Sequence, residues 1–103
     1  PLNLVAHKIV PALGVGNSVV LKPTPEAPMV AYEFAKLFIG SEYAIKNALS
    51  VVYGDAKVGS VLVASAIPRI ISFTGSVAVG KIITQNAGIK KVTLELGGNA
   101  ATF

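Results

Sequence analysis

Glu95 is the residue whose type and position most favour acid–base chemistry in this sequence. It stands at the end of the apolar segment 92–95 and is followed by a Leu-Gly-Gly tripeptide. An acid is expensive to bury among apolar neighbours, and a carboxyl group in such a place can act as a general base. The glycines would let the chain turn sharply beside a ligand. A structural alternative is an ion pair between Glu95 and a lysine, for which Lys8 is the obvious candidate.

A second segment, at Gly75 and Ser76, has the composition of an anion site. Gly75 allows another group to approach the backbone closely, and Ser76 can cap the helix predicted to follow. The free amides and the positive end of that helix would attract a phosphate group. The spacing Gly-x-x-x-x-Gly, from Gly75 to Gly80, is neither the usual Gly-x-Gly-x-x-Gly nor a P-loop. An ordinary capped turn is therefore the alternative.

Lys22 ends the short β-branched segment 18–22. A lysine in such a place is costly unless its ammonium group reaches water or a partner. Two interpretations follow from the residues alone. Lys22 hydrogen-bonds ribose hydroxyls or a phosphate, or it is an edge lysine that extends into solvent.

These residues need a sheet that brings the ends of their segments to one edge. The hydrophobic periodicity predicts alternating helices and strands. The predicted helices cover residues 2–13, 28–40, 56–65 and 77–87, and the predicted strands cover 18–22, 49–53, 70–73 and 92–95, with a fifth beginning at 101. Strands that recur at intervals of roughly 20–30 residues give right-handed βαβ crossovers. The predicted fold class is α/β, with a doubly wound, Rossmann-like parallel sheet and helices on both faces. Ligands bind in such sheets beyond the carboxyl ends of the strands.

The composition excludes several classes of function. Of the 103 residues, 52% are hydrophobic and 14% charged, so the chain is not disordered and holds at most one domain. The absence of Cys and the single His argue against disulfides and metal sites. The net charge of +4 is scattered without interleaved aromatic residues, which argues against nucleic-acid binding. The adjacent Lys90 and Lys91 are predicted to be solvated. No apolar stretch of the sequence is long enough to span a membrane.

Three segments together resemble the aldehyde dehydrogenase superfamily. They are Pro-Leu-Asn-Leu-Val-Ala-His-Lys-Ile-Val-Pro-Ala-Leu with Gly-Asn-Ser-Val-Val-Leu-Lys-Pro within 1–23, Ile-Ser-Phe-Thr-Gly-Ser with Val-Gly-Lys within 71–81, and Lys-Lys-Val-Thr-Leu-Glu-Leu-Gly-Gly-Asn at 90–99. The resemblance covers nearly the whole chain, in the order and spacing of the family. It implies that an aldehyde is oxidised to a carboxylic acid with NADP or NAD. A cysteine thiolate attacks the aldehyde, the adduct gives a hydride to the cofactor, and a glutamate activates the water that hydrolyses the thioester.

The resemblance also implies roles for single residues. It makes Glu95 the general base and Lys8 a nearby helix lysine that could relay protons. The residues implied to bind the cofactor are Lys22 at the adenosine ribose, Gly75 and Ser76 at the pyrophosphate, Val79 near the adenine, and Leu96, Gly97 and Gly98 beside the nicotinamide. No metal is implied. Many NAD-preferring members have a glutamate where this chain has Pro25, with Glu26 one residue later, which leaves room for the 2′-phosphate of NADP.

In this interpretation residues 1–103 form part of the NAD(P)-binding domain of a larger chain. The nucleophilic cysteine would lie beyond Phe103, and an oxyanion-stabilising asparagine would lie just before Pro1. We therefore expect the segment alone to be inactive. The full-length enzyme is expected to be a cytoplasmic homo-oligomer, a dimer or tetramer, that acts on a small aldehyde and binds neither nucleic acid nor membrane. The alternatives are a non-catalytic nucleotide-binding α/β module that uses the Gly75 turn, and an interaction domain in which the glycines serve only turns.

Overall fold

Helices and parallel strands alternate along the chain in the computed structural model, which describes residues 2–98. The elements are α1 (Leu2–Gly14), β1 (Val19–Leu21), α2 (Pro28–Ile39), β2 (Leu49–Val51), α3 (Ala56–Ala64), β3 (Ile70–Gly75), α4 (Val77–Asn86) and β4 (Lys91–Leu96). All four predicted helices and the first four predicted strands are present, with bounds within two residues of those expected. The predicted fifth strand lies outside the described residues. None of the helices between residues 2 and 98 has the length and apolar character needed to cross a membrane.

The strands form two parallel pairs, one in each of two units that divide between Ala56 and Lys57. In the first unit β1 pairs with β2, and in the second β3 pairs with β4. Parallel neighbours cannot be joined by a tight hairpin, and a helix provides the crossover in each pair. These observations confirm the α/β class with parallel strands.

The core of the first unit lies between one face of the β1–β2 pair and the helices α1 and α2. Its buried members are Ile9, Ala35 and Leu49. The partly buried residues around them are Val5, Leu13, Val19, Leu21, Phe34, Phe38 and Val51. Leu37 of α2 is 76% exposed. The buried residues of this helix are Ala31 and Ala35, whose small side chains let the helix pack closely and leave Leu37 outside.

The core of the second unit is built in the same way on the β3–β4 pair. Its buried members are Val63 of α3, Ile83 of α4 and Ala87. The strands contribute Ile71, Phe73, Val92 and Leu94. Side chains alternate between the faces of a strand, so the intervening residues of β3 and β4 lie on the face away from this core.

Lys90 joins the ends of two helices in the second unit. Its ammonium group donates hydrogen bonds to the carbonyl oxygens of Val63, over 3.0 Å, and Ala87, over 3.1 Å. These carbonyls lie at the C-terminal ends of α3 and α4, where a cation interacts favourably with the last carbonyl oxygens and with the helix dipole. The prediction that Lys90 is merely solvated is therefore wrong, whereas Lys91 is exposed.

Candidate functional site

The carboxyl ends of β3 and β4 place Glu95 beside Thr74. The two residues are opposite each other in the parallel register, and the Thr74 hydroxyl donates a hydrogen bond to Oε2 of Glu95 over 3.3 Å. The Glu95 side chain is exposed. The expectation of an acid buried by apolar neighbours is therefore wrong. Its neighbours Leu94 and Leu96 belong to the opposite face of the strand, because side chains alternate.

Ser76 begins α4 as the sequence predicts. It is the N-cap residue in an extended conformation, and its side chain accepts a hydrogen bond from the backbone N–H of Val79 over 3.3 Å. Its carbonyl accepts the hydrogen bond of Gly80, over 3.0 Å. The first amides of a helix have no carbonyl partner within it. The N–H groups of Val77 and Ala78 can therefore bind an anion at this end of α4.

Gly75 is in close contact with an aromatic ring of its own strand. A Cβ atom added to Gly75 would lie 2.5 Å from Cζ of Phe73. A side chain at this position would therefore collide with a residue that packs on the core. The group that lies close to Gly75 here is the ring of Phe73, and the approach of a ligand to Gly75 stays a prediction.

Gly80 is a functional candidate that the sequence interpretation treated only as part of a glycine spacing. It is buried inside α4, and an added Cβ atom would lie 2.7 and 2.9 Å from the two terminal carbons of Leu96. The helix therefore rests directly on the end of β4 at this residue. The cost of glycine inside a helix, about 1 kcal/mol relative to alanine, is the signal that could have indicated its packing role.

The remaining residues implied to contact a cofactor in the second unit border open space. Val79 is 43% exposed. Gly97 and Gly98 are exposed, and a Cβ atom added to either would meet nothing within 4 Å. Leu96, whose side chain lies against Gly80, is half-buried. This edge of the β3–β4 pair is therefore accessible to a ligand.

Lys22 connects the carboxyl ends of β1 and β2 in the first unit. Its half-buried ammonium group donates hydrogen bonds to the carbonyl oxygens of Pro23 and Gly54, each over 3.0 Å. The edge lysine of the sequence interpretation is thus tied to the backbone rather than extended into water. An ammonium group has three donors, so a third N–H is left for a ligand.

The other residues of interest in the first unit lie on α1 and after β1. Lys8 is half-buried in α1. The carboxylate of Glu26 accepts a hydrogen bond from the hydroxyl of Thr24, and both side chains are exposed. Glu26, the acid that follows Pro25, therefore accepts a hydrogen bond within its own loop. Together, the structure places Lys8 and Lys22 in the first unit and the Gly75–Val79 turn, Glu95 and Leu96 in the second.

Comparisons with known proteins give a consistent result. The family model described as the aldehyde dehydrogenase family matches residues 1–103. A 3-sulfolactaldehyde dehydrogenase of Priestia megaterium is 46% identical over 104 residues, which cover 100% of this chain and 22% of the relative.

Solved structures resemble this chain in fold and, in part, in sequence. The crystal structure of a glyceraldehyde-3-phosphate dehydrogenase from Methanocaldococcus jannaschii, complexed with NADP, has a TM-score of 0.89 at 42% identity over 95% of this chain and 22% of that one. A betaine aldehyde dehydrogenase double mutant from Staphylococcus aureus, in complex with NAD+, has a TM-score of 0.89 at 33% identity over 95% of this chain and 20% of that one. The chain spans about a fifth of the length of the relatives it matches.

Proposed function

This chain belongs to the aldehyde dehydrogenase family, and from that membership we propose that it supplies part of the NAD(P)-binding region of an enzyme that oxidises an aldehyde to a carboxylic acid. The reaction would pass through a thioester on a cysteine outside residues 1–103, since these contain no Cys. The observation that carries the proposal is the edge of β3 and β4, where Glu95 pairs with Thr74 next to the Ser76-capped start of α4.

The second unit would hold the pyrophosphate and nicotinamide parts of NAD(P). When bound, this cofactor would accept a hydride from the adduct of the aldehyde with the cysteine. The exposed, capped start of α4 suits a pyrophosphate because its amides and dipole favour negative charge. Gly75 and Ser76 would line that group, Val79 would border the adenine, and Leu96 would form a wall of the nicotinamide site. The open space at Gly97 and Gly98 supports this assignment.

Lys22 would hold the adenosine ribose in the first unit. The contacts with Pro23 and Gly54 fix its ammonium group and leave one donor for a ribose hydroxyl or a phosphate. Pro25 offers no side-chain acceptor for the 2′-hydroxyl of the ribose. We therefore propose that the enzyme uses NADP, or both NADP and NAD, rather than NAD alone.

Glu95 would act as the general base of the hydrolytic step. It would accept a proton from water while the water oxygen bonds to the acyl carbon and the cysteine thiolate leaves. Its exposed position gives water access to the carboxylate. Lys8 would relay the proton onward, as the family implies.

The rest of the proposal concerns the whole enzyme. Residues 1–103 would form part of its cofactor domain, with the catalytic cysteine in another domain. The enzyme would be a cytoplasmic homo-oligomer. The many exposed apolar side chains on this segment support packing against further protein, either in the same chain or in a second subunit.

The role of Glu95 can be tested by stopped-flow measurement of NAD(P)H formation with the Glu95→Gln variant of the full-length enzyme. Glutamine keeps the shape of the side chain and removes the base. Thioester formation needs the cysteine and not Glu95, so a first-turnover burst should survive. Steady-state turnover should fall by ~10²–10⁴, the usual contribution of a general base.

Glu33→Gln provides the matched control, since it makes the same chemical change at an exposed carboxylate that forms an ion pair with Lys36. It should behave as the wild type. Wild-type steady-state turnover in Glu95→Gln would show that Glu95 is not the base.

A further inference from the structure

We propose that Tyr53 discriminates between NADP and NAD by donating a hydrogen bond to the 2′-phosphate of NADP, an inference that rests on the proposed role of Lys22 at the adenosine ribose. Tyr53 directly precedes Gly54, whose carbonyl oxygen accepts a hydrogen bond from the Lys22 ammonium group over 3.0 Å. The amine that would hold the ribose is thus anchored one residue away from Tyr53. A phosphate carried on that ribose would lie beside the same segment.

The side chain of Tyr53 meets the first turns of α2. Leu49 and Val51 of β2 belong to the core of the first unit, and the alternation of side chains brings Tyr53, two residues further on, to the same side. There it borders a surface cavity of about 420 Å³. The other residues that line this cavity are Pro28, Met29 and Tyr32, all of α2. Tyr53 is 48% exposed, so a ligand can reach it.

This cavity lies at the edge of the first unit where a ligand is expected. Tyr53 follows the end of β2 by two residues, and Pro28 begins the helix that follows β1. The two strands are parallel and paired, so their carboxyl ends meet at one edge, which is where α/β sheets bind ligands. Lys22 is held at the same edge by its two carbonyl acceptors. The amine and the cavity would therefore serve one ligand.

The chemistry of the lining favours a phosphate over a sugar hydroxyl. Among the described residues that line the cavity, Tyr32 and Tyr53 carry hydroxyl donors and none carries a carboxylate that would repel an anion. A phenol donates a stronger hydrogen bond to a charged phosphate oxygen than to a neutral hydroxyl. Pro25 gives no acceptor for the 2′-hydroxyl of NAD. Of the two phenols, Tyr53 is the one next to the anchor of Lys22, so the discrimination is assigned to it.

The test measures the Kd of NADP and of NAD by calorimetry for the full-length enzyme and its Tyr53→Phe variant, in which the ring remains and the hydroxyl is lost. The Kd of NADP should rise roughly tenfold, as expected for loss of one hydrogen bond to a charged group, while the Kd of NAD stays at the wild-type value. Adenosine 2′-monophosphate should lose affinity as NADP does, and adenosine 5′-monophosphate should not. Tyr43→Phe is the matched control, because Tyr43 is 85% exposed, and it should change neither Kd.

Three results would overturn the inference. They are an unchanged Kd of NADP in Tyr53→Phe, an equal loss of affinity for NADP and NAD, and a wild-type enzyme that binds NAD alone. The role of Lys22 can fail separately. If Lys22→Ala leaves both Kd values unchanged, Lys22 does not hold the ribose, and the inference falls with that assignment. If Lys22→Ala weakens both cofactors while Tyr53→Phe is unselective, the ribose assignment stands and only the inference about Tyr53 is wrong.

Discussion

At the scale of single residues, Lys22 combines two roles that a single substitution can separate. Its ammonium group ties together the ends of β1 and β2, and the proposed function gives it a further contact with the cofactor. Lys22→Ala should raise the cofactor KM by roughly ten- to hundredfold, since a charged hydrogen bond contributes about 1.5–3 kcal/mol. The melting temperature should fall as well, because two carbonyl oxygens lose their donor.

The measurements for Lys22 are cofactor titrations of steady-state kinetics and thermal unfolding of the full-length enzyme. Lys46→Ala is the matched control, since it removes the same charge from a lysine that is exposed. A lower melting temperature with an unchanged KM would show that Lys22 is only a structural link between strand ends.

Sequence reasoning succeeded with residues whose role is local and missed those whose role depends on pairing. Ser76 is a cap because of its own type and its position before an apolar helix, and both are visible in the chain. The exposure of Glu95 and its contact with Thr74 depend on which strands pair, in what register, and which face the core takes. None of these is encoded within a few residues of Glu95. The position of Lys90 likewise depends on where two helices end.

At the scale of elements, the contact between α4 and β4 is set by Gly80. Gly80→Ala should change the stability little, because the gain in helix propensity, about 1 kcal/mol, offsets an overpacking cost that begins near the same value. The added Cβ atom meets the flexible end of Leu96, which must therefore move. If Leu96 borders the nicotinamide, the rate of the NAD(P)H burst should fall about tenfold or more, since small displacements at the reacting centre are costly.

Stopped-flow kinetics and thermal unfolding of Gly80→Ala check this prediction together. Gly14→Ala is the matched control, because a Cβ atom added to Gly14 at the end of α1 meets nothing within 4 Å. A wild-type burst rate in Gly80→Ala would mean that Leu96 does not contribute to the nicotinamide site.

The elements themselves were largely predictable, and their buried faces less so. The period of apolar residues placed all four helices of the described chain within two residues of their observed ends. The spacing of apolar residues does not determine which side of an apolar helix packs against the strands. In α2 the side that carries Ala35 is buried and Leu37 is exposed. In α3 Val63 is buried and Val61 is exposed. The choice depends on how closely the helix can approach its sheet, which is a property of the packed unit.

At the scale of the whole molecule, residues 1–103 should not oxidise aldehydes by themselves. The proposed reaction needs a thiolate nucleophile, and the segment contains no Cys. The measurement is aldehyde-dependent NAD(P)H formation by the purified segment, with the full-length enzyme as the positive control. Measurable formation by the segment would contradict the proposed cysteine chemistry.

The hydrogen bonds of Lys90 should also make its amine less reactive than the amines of the exposed lysines. An amine held by the carbonyls of Val63 and Ala87 must leave both acceptors before it can attack an acylating reagent. Lys46, Lys81 and Lys91 are exposed and meet such a reagent at once. Acylation of Lys90 would therefore proceed only while its side chain is turned away from both carbonyls and deprotonated, and its rate relative to the exposed lysines would record how often these two hydrogen bonds open.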